Sequence, residues 1–285
     1  MEIRTAAVLG AGTMGSGIAQ VCALAGCVTR LYDVTLARAE AGCALIAKSL
    51  QKGVEKGKVA PADRETAIAR IRPCTDLAEA VEGADLVVEA APEDLDLKRK
   101  LFRSISAPAP PHAILATNTS SLPVARIAEA ATRPERVLGM HFFNPVPVMK
   151  LLELVAGEKT SPATLDAARA FGERIGKEVI VVKDAPGFAS SRLGICLGME
   201  AIRMVEQGIA SAADIDKAMV FGYGHPMGPL RLTDLVGLDV RLAIGEHLAR
   251  ALQAPHFEPP ALLRTMVAEG RLGKKSGRGF YEWKE

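Results

Sequence analysis

The sequence predicts an α/β chain, a doubly wound and mainly parallel sheet followed by an all-α C-terminal domain. Three observations carry that prediction. Short β-branched runs alternate with helical patterns through the first part of the chain. A glycine-rich turn joins the first such run to the first helical pattern. Beyond Asp184 the strand-like runs stop, and apolar residues recur at helical spacing.

The strand-like runs cover residues 6–9, 28–32, 86–90, 113–117, 137–142, 151–155 and 179–182. The last of them follow one another with too little sequence for an intervening helix, so that edge is expected to turn antiparallel. Residues 36–71 form a polar, lysine-rich insertion with helical patterning, broken near Gly57 and restarted at Pro61. A simple βαβ crossover does not need such length, and the segment reads as a projecting helical pair, either decoration or a substrate arm. After Asp184-Ala185-Pro186-Gly187, the residues Ile195, Met199, Ile202 and Val205 mark a helix that ends at Gly208. Leu193, Leu197, Ala201 and Met204 widen its apolar face, which must be covered by a helical core or by a subunit interface. Ser211, three residues before Asp214, reads as the capping box of the next helix, and further helical patterns cover 238–252 and 261–269. The expected division is therefore 1–184 for the sheet domain, with its arm at 36–71, and 185–285 for the helical domain.

A chain of 285 residues can bury two modest cores, and 49% apolar with 24% charged residues exclude a disordered polymer. The net charge of +2 arises from 35 basic and 33 acidic residues spread along the chain, which speaks against nucleic-acid binding. RLGKKSGRG near the end is the one local basic cluster, a pattern that suits a solvated turn or a phosphate-bearing substrate. The closing FYEW, with Phe280, Tyr281 and Trp283, reads in preference as a packed tail covering the helical domain. Five cysteines include no C-x-x-C pair and read as small core residues of a reducing compartment. The opening MEIRTAAVLG reads as a first strand and not as a signal peptide, and no apolar run reaches membrane-spanning length. A soluble, cytoplasmic protein without a membrane partner is expected.

Gly10, Gly12 and Gly15 form G-x-G-x-x-G between a strand and a helix, with Thr13 and Met14 inside the loop. The first glycine permits the tight turn, the second a close backbone approach to a pyrophosphate, the third close packing of helix on sheet. The helix N-terminus adds favourable partial charge for phosphates. Asp33 stands eighteen residues past Gly15, where a carboxylate accepts hydrogen bonds from ribose hydroxyls and repels a 2′-phosphate. These features together predict NAD as cofactor; the loop alone would be a weak signal.

HFFNPVPVMKLLELV sets His141 twelve residues ahead of Glu153. A dehydrogenase acting on an alcohol needs a group to take the hydroxyl proton, and histidine suits that near neutral pH. A carboxylate on the other ring nitrogen fixes the tautomer and stabilises the imidazolium. The same spacing also suits a core histidine bonded to backbone, with Glu153 turned to solvent. No metal-ligand spacing is present.

The motifs GAGTMGSGIA, VVEAAPED, TNTSSL, HFFNPVPVMKLLELV, the PGF turn and HPMGPLRLTDLVGLD occur in that order. In this set and order the chain resembles the L-3-hydroxyacyl-CoA dehydrogenases, including the bacterial 3-hydroxybutyryl-CoA dehydrogenases, over essentially its whole length. A homodimer is expected from the apolar C-terminal helices; the resemblance implies a Rossmann-type nucleotide domain and an acyl-CoA thioester as substrate. It implies that His141 is the general base, Glu153 its orienting acid and Ser120 a partner of the substrate's 3-oxygen. Glu93 and Asn144 would lie along the cofactor near the nicotinamide, and Ser49 and Lys56 would meet the CoA moiety. Two departures stand out. Ser191 replaces an asparagine that helps hold the substrate carbonyl in the family, keeping a hydroxyl donor of shorter reach. Ala44 replaces a lysine early in the arm. TNTSSL also has a plainer role open to it, with Ser121 as a helix cap. Two other functions use the same scaffold: a dehydrogenase of a small hydroxy or sugar acid, and a non-catalytic NAD-binding protein of the crystallin kind.

Overall fold

Eight short strands assemble into one sheet: β1 (Thr5–Leu9), β2 (Val28–Tyr32), β3 (Ile71–Cys74), β4 (Leu86–Glu89), β5 (Ile114–Thr117), β6 (Val137–Phe142), β7 (Leu151–Ala156) and β8 (Glu178–Lys183). The computed structural model describes residues 1–283. The order is β3-β2-β1-β4-β5-β6-β7-β8, and every neighbouring pair is parallel except β6 with β7. The central strands β1, β4, β5 and β6 are buried almost throughout, as a sheet covered on both faces requires. The order reverses between β1 and β4, which opens a crevice at their carboxyl ends.

The helices of this part are α1 (Thr13–Leu24), α2 (Leu36–Glu55), α3 (Pro61–Ala69), α4 (Leu77–Val81), α5 (Leu95–Ile105), α6 (Val124–Ala128) and α7 (Pro162–Arg174). The insertion after β2 is the expected helical pair. Thr35 caps α2 through Arg38 N–H, and Pro61 opens α3 at its first turn. The arm is tied down by a narrow stripe, with Ala39, Gly42, Ile46 and Leu50 of α2 buried.

Two expectations are corrected here. β3 was not anticipated: its sequence IRPC carries a proline and no alternation, which an edge strand tolerates. The chain between β7 and β8 does hold a helix, because Ser161 caps it through Thr164 N–H and Pro162 sits at its first position. The antiparallel turn is thus confined to β6 and β7, while α7 returns the chain so that β8 lies parallel to β7.

The chain divides into two compact units, Met1–Ala185 and Pro186–Glu285. The second contains α8 (Ser190–Glu206), α9 (Ala212–Tyr223), α10 (Pro229–Val236), α11 (Leu238–Leu252) and α12 (Ala261–Ala268). Ser211 accepts from Asp214 N–H, as its spacing predicts, whereas α10 was not foreseen. Ile195, Met199, Ala201 and Ile202 of α8 enter the core of this unit, and Leu193 is 71% exposed. Two buried aspartates organise the unit. Asp216 accepts from Leu230 N–H, Arg231 N–H and the Tyr281 hydroxyl, all at 2.7–2.9 Å. Asp234 accepts from Phe280 N–H, Tyr281 N–H and Trp283 Nε1 at 2.8–2.9 Å. The aromatic tail is therefore a packed closing segment. Of its basic residues, Lys275 pairs with Asp239 and Lys274 lies over the Trp283 ring.

Asp85 fastens the start of β1 to β4 by accepting from Arg4 N–H at 2.8 Å and Thr5 N–H at 2.9 Å, with His112 at 3.1 Å. Burial works to raise its pKa, but these hydrogen bonds outweigh burial and hold the carboxyl below the ordinary aspartate value. Its stabilisation is present above the unfolded aspartate pKa of about 3.9 and is lost as pH falls through the lower folded value. Asp85→Ala is expected to lose about 1–3 kcal/mol of unfolding free energy in urea at pH 7 and less below pH 3.

Candidate active site

The glycine turn closes between the ends of β1 and β4. A Cβ on Gly15 would stand 1.7 Å from the Gly10 carbonyl oxygen, and one on Gly10 would stand 2.7 Å from that of Ala90. Both positions are closed to any side chain. Gly12 differs: nothing lies within 4 Å of the place its Cβ would take. It is the N-cap of α1 and offers no capping side chain, and the first turn of α1 holds no acid. The first backbone N–H groups of a helix lack partners within it and favour an anion. An open hollow, helix-end donors and the lack of an acid in the first turn of α1 fit a pyrophosphate. Thr13 and Met14 begin this helix, Met14 half-buried beside the turn.

Asp33 follows β2 and is turned towards that loop. Its Oδ2 accepts from Ala11 N–H at 2.9 Å and its Oδ1 from Val34 N–H at 2.8 Å. The carboxylate thus shapes the turn itself, and its remaining lone pairs are available to a ribose.

At the carboxyl end of β6 the antiparallel register sets His141 directly opposite Glu153. Residues so paired share a face of the sheet. Their side chains meet, His141 Nδ1 standing 2.7 Å from Glu153 Oε2, with Glu153 fully buried and His141 6% exposed. Glu153 therefore faces inward and not to solvent. A carboxylate accepts only, so Nδ1–H is the donor and Nε2 is the nitrogen opposite. The Phe143 ring packs on the imidazole at 4.4 Å between centroids.

His141 borders a cavity of about 340 Å³ that Met14, Glu93, Asn118, Ser120 and Asn144 also line. Glu93 anchors the TNTSSL loop: its Oε1 accepts from Thr119 Oγ1 at 2.7 Å, Ser120 N–H at 2.9 Å and Ser121 N–H at 3.1 Å. Burial would raise the Glu93 pKa, but Thr119, Lys98 and these N–H groups together draw it below the usual value. Ser120 Oγ is 3.2 Å from the same oxygen. Ser121 is no helix cap, since Pro123 occupies that place before α6.

A second cavity, about 180 Å³, continues from Asn144 past Thr13 and Pro147 to Ser49 on the arm. Ser49 and Pro147 also border a cleft of about 690 Å³ lined by Lys52, Lys56, Lys58, Lys150 and Lys177. No carboxylate occurs among its described lining residues. Lys177 donates to the carbonyls of Val146 and Met149, stapling the loop after β6 to the start of β8. Burial pushes the pKa of this ammonium down.

Of the residues singled out from sequence, one end of the β-sheet unit collects Met14, Glu93, Ser120, His141 and Asn144 around one cavity, with Glu153 behind His141. Gly10, Gly12, Gly15 and Asp33 form the neighbouring turn, and Ser49 and Lys56 border the basic cleft. Ser191 belongs to the second unit, in the first turn of α8. Besides Lys177, three further residues escaped sequence reading. Asn118, inside TNTSSL, accepts from Phe142 N–H at 2.9 Å and borders the cavity. Glu89 and Lys98 form a buried ion pair at 2.7 Å behind Glu93. Their one sequence signal was an acid ending an otherwise apolar strand. No group of three His, Cys, Asp or Glu side chains among the described residues could hold a metal ion. No described helix is long and apolar enough to cross a membrane.

Comparison with known proteins yields two family matches. Residues 5–185 match the NAD binding domain of 3-hydroxyacyl-CoA dehydrogenase, and residues 187–283 match its C-terminal domain. The chain is similar to a probable 3-hydroxybutyryl-CoA dehydrogenase of Bacillus subtilis, 47% identical over 285 residues, or 100% of this chain and 99% of that one. It is 43% identical to the mitochondrial hydroxyacyl-coenzyme A dehydrogenase of Sus scrofa, over 99% of this chain and 92% of the other. Its fold superposes on the crystal structure of (S)-3-hydroxybutyryl-CoA dehydrogenase from Ralstonia eutropha with a TM-score of 0.95, at 42% identity and full coverage of both chains.

The two loop glycines should respond differently to a methyl group. Gly15→Ala is expected to cost about 3 kcal/mol or more of stability, since backbone must move to admit it. Gly12→Ala should keep a melting temperature near the parent's and weaken NADH binding, read by fluorescence titration.

Proposed function

The chain belongs to the 3-hydroxyacyl-CoA dehydrogenase family, and we propose that it oxidises (S)-3-hydroxyacyl-CoA thioesters reversibly to 3-ketoacyl-CoA with NAD. The observation that carries this reading is the His141–Glu153 pair beside a cavity that begins at the dinucleotide turn. Bound NAD supplies the hydride acceptor. His141 takes the 3-hydroxyl proton on Nε2, because Nδ1 is engaged by Glu153. The buried carboxylate holds that tautomer and stabilises the imidazolium formed. In the reverse direction His141 returns the proton to the 3-keto oxygen. Ser120 donates to the substrate's 3-oxygen, and Asn144 and Glu93 border the nicotinamide. Gly10, Gly12, Thr13, Met14 and Gly15 cradle the pyrophosphate, while Asp33 binds ribose and disfavours a 2′-phosphate.

The basic cleft supports a CoA substrate over a small free acid. CoA carries several phosphate charges, and a cleft with five lysines and no described carboxylate answers them. Ser49 and Lys56 bind the nucleotide end there. In the helical unit, Ser191 serves the substrate carbonyl, and its shorter reach bears on rate or acyl length.

Leu193, Phe221 and Tyr223, large apolar or aromatic side chains 71–83% exposed on the helical unit, support a homodimer that buries them. Five free cysteines suit a reducing compartment and a cytoplasmic role in fatty-acyl metabolism. The near balance of 35 basic and 33 acidic residues along the sequence supports neither a nucleic-acid nor a membrane partner.

The first test is NADH oxidation with acetoacetyl-CoA beside free acetoacetate. Turnover of the thioester alone is expected, and equal turnover of the free acid would overturn the CoA assignment. His141→Ala should abolish turnover and leave NADH affinity within about twofold, while Glu153→Gln should lower kcat by about 10²-fold or more. Lys56→Ala should raise KM for acetoacetyl-CoA several-fold and leave KM for a truncated thioester lacking the nucleotide unchanged. A matching rise for both would remove Lys56 from the phosphate-binding role.

A further inference from the structure

One wall of the His141 cavity carries charge that proton transfer does not use. Glu89 ends β4 with no exposure, and its carboxylate accepts from Lys98 Nζ at 2.7 Å, Thr117 Oγ1 at 2.7 Å and Ala91 N–H at 2.6 Å. Lys98, on α5, is 1% exposed and donates also to the Ala91 carbonyl at 3.1 Å. The same ammonium stands 3.5 Å from Glu93 Oε2. Two carboxylates therefore share one cation, so the cluster carries a formal charge of −1 on its cavity side, at Glu93, whose side chain is 37% exposed and accepts from Thr119, Ser120 and Ser121. Glu93 is the member that borders the cavity, and it is the one carboxylate among the described lining residues there.

The two states of a nicotinamide ring differ in charge: the oxidised ring carries +1 and the reduced ring is neutral. On the reading proposed above, a substrate carbon that loses its proton to His141 and its hydride to the ring must touch both. That requirement brings the ring into the cavity that Glu93 borders. We propose that Glu89, Lys98 and Glu93 act as one charge-setting cluster that favours the oxidised over the reduced nicotinamide. Glu93 faces the ring, Lys98 limits the field to a single net charge, and Glu89 is a positioning residue that keeps Lys98 in place. In a partly desolvated cavity one unit charge has a large effect on a charged ligand and little on a neutral one.

The cluster predicts a charge series measurable without turnover. Dissociation constants for NAD and NADH are measured on the purified protein by calorimetry and by NADH fluorescence, with circular dichroism to establish folding. Glu93→Gln and Glu89→Gln each bring the cluster from −1 to 0. Both should raise the ratio of the NAD to the NADH dissociation constant, by about tenfold, equivalent to about 30 mV in the two-electron potential of the bound couple. Lys98→Met brings it to −2 and should lower the ratio. If Lys98→Met does not fold, the two glutamine variants decide. An unchanged ratio in both, or equal shifts of both constants, overturns the proposal. A change with Glu93→Gln alone also overturns it, because the effect would then be a contact of Glu93 and not a property of the cluster. Failure of the parent protein to bind either nucleotide would instead sink the cofactor reading on which this rests.

Discussion

The reversal of direction between β6 and β7 is the constraint on which the site depends. In a wholly parallel sheet the residue opposite His141 would come from a strand reached through a helix, and its identity would be independent of the histidine's own segment. Here a short loop turns the chain back, and the register puts Glu153 against His141 within one fifteen-residue stretch. A slip of one residue would turn Glu153 to the other face of the sheet. Burial then sharpens the pairing: a carboxylate without exposure must find a donor, and the imidazole N–H is the donor the register offers. The geometry of the pair and the tautomer of the imidazole thus follow from one local feature of the backbone.

Much of this was legible in the chain itself. The glycine turn, Asp33 and the His141–Glu153 spacing are local patterns, each set by backbone needs within one or two elements. β3 and α10 were not, because short elements with a proline or a brief apolar run carry little period to read. α7, thirteen residues long, was readable from its Ser161-Pro162 start and the spacing of Thr164, Ala167, Ala168 and Phe171, and was passed over. The larger omission was Glu89 and Lys98. A lysine on a helix surface and a glutamate ending a strand look like solvated residues in sequence. Only packing of α5 against the sheet makes them a buried pair. Asn118 and Lys177 were missed for a related reason, since each spends its side chain on backbone groups far along the chain. Asp33 illustrates the converse: its place was readable, whereas its bond to Ala11 N–H was not.

The distribution of charge divides the β-sheet unit into two regions. The described lining of the His141 cavity holds one carboxylate, Glu93, and neither lysine nor arginine, whereas the cleft beside the arm is lined by five lysines and no described carboxylate. A ligand with a polyanionic handle and a neutral reacting end matches that division, and neither a dinucleotide alone nor a small acid would use all of it.

The stretch from Phe143 to Lys150 carries a consequence of its own. Its first residues border the cavity of His141, its middle borders the arm, and its end borders the lysine cleft, while Lys177 clamps it from beneath through two carbonyls. One ribbon of backbone is therefore a common boundary for the handle of a ligand and for its reacting carbon. Binding energy gathered from a remote nucleotide can in this way be spent on orientation at the carbon that reacts. Lys177, just before β8, fixes the position of that ribbon through the carbonyls of Val146 and Met149.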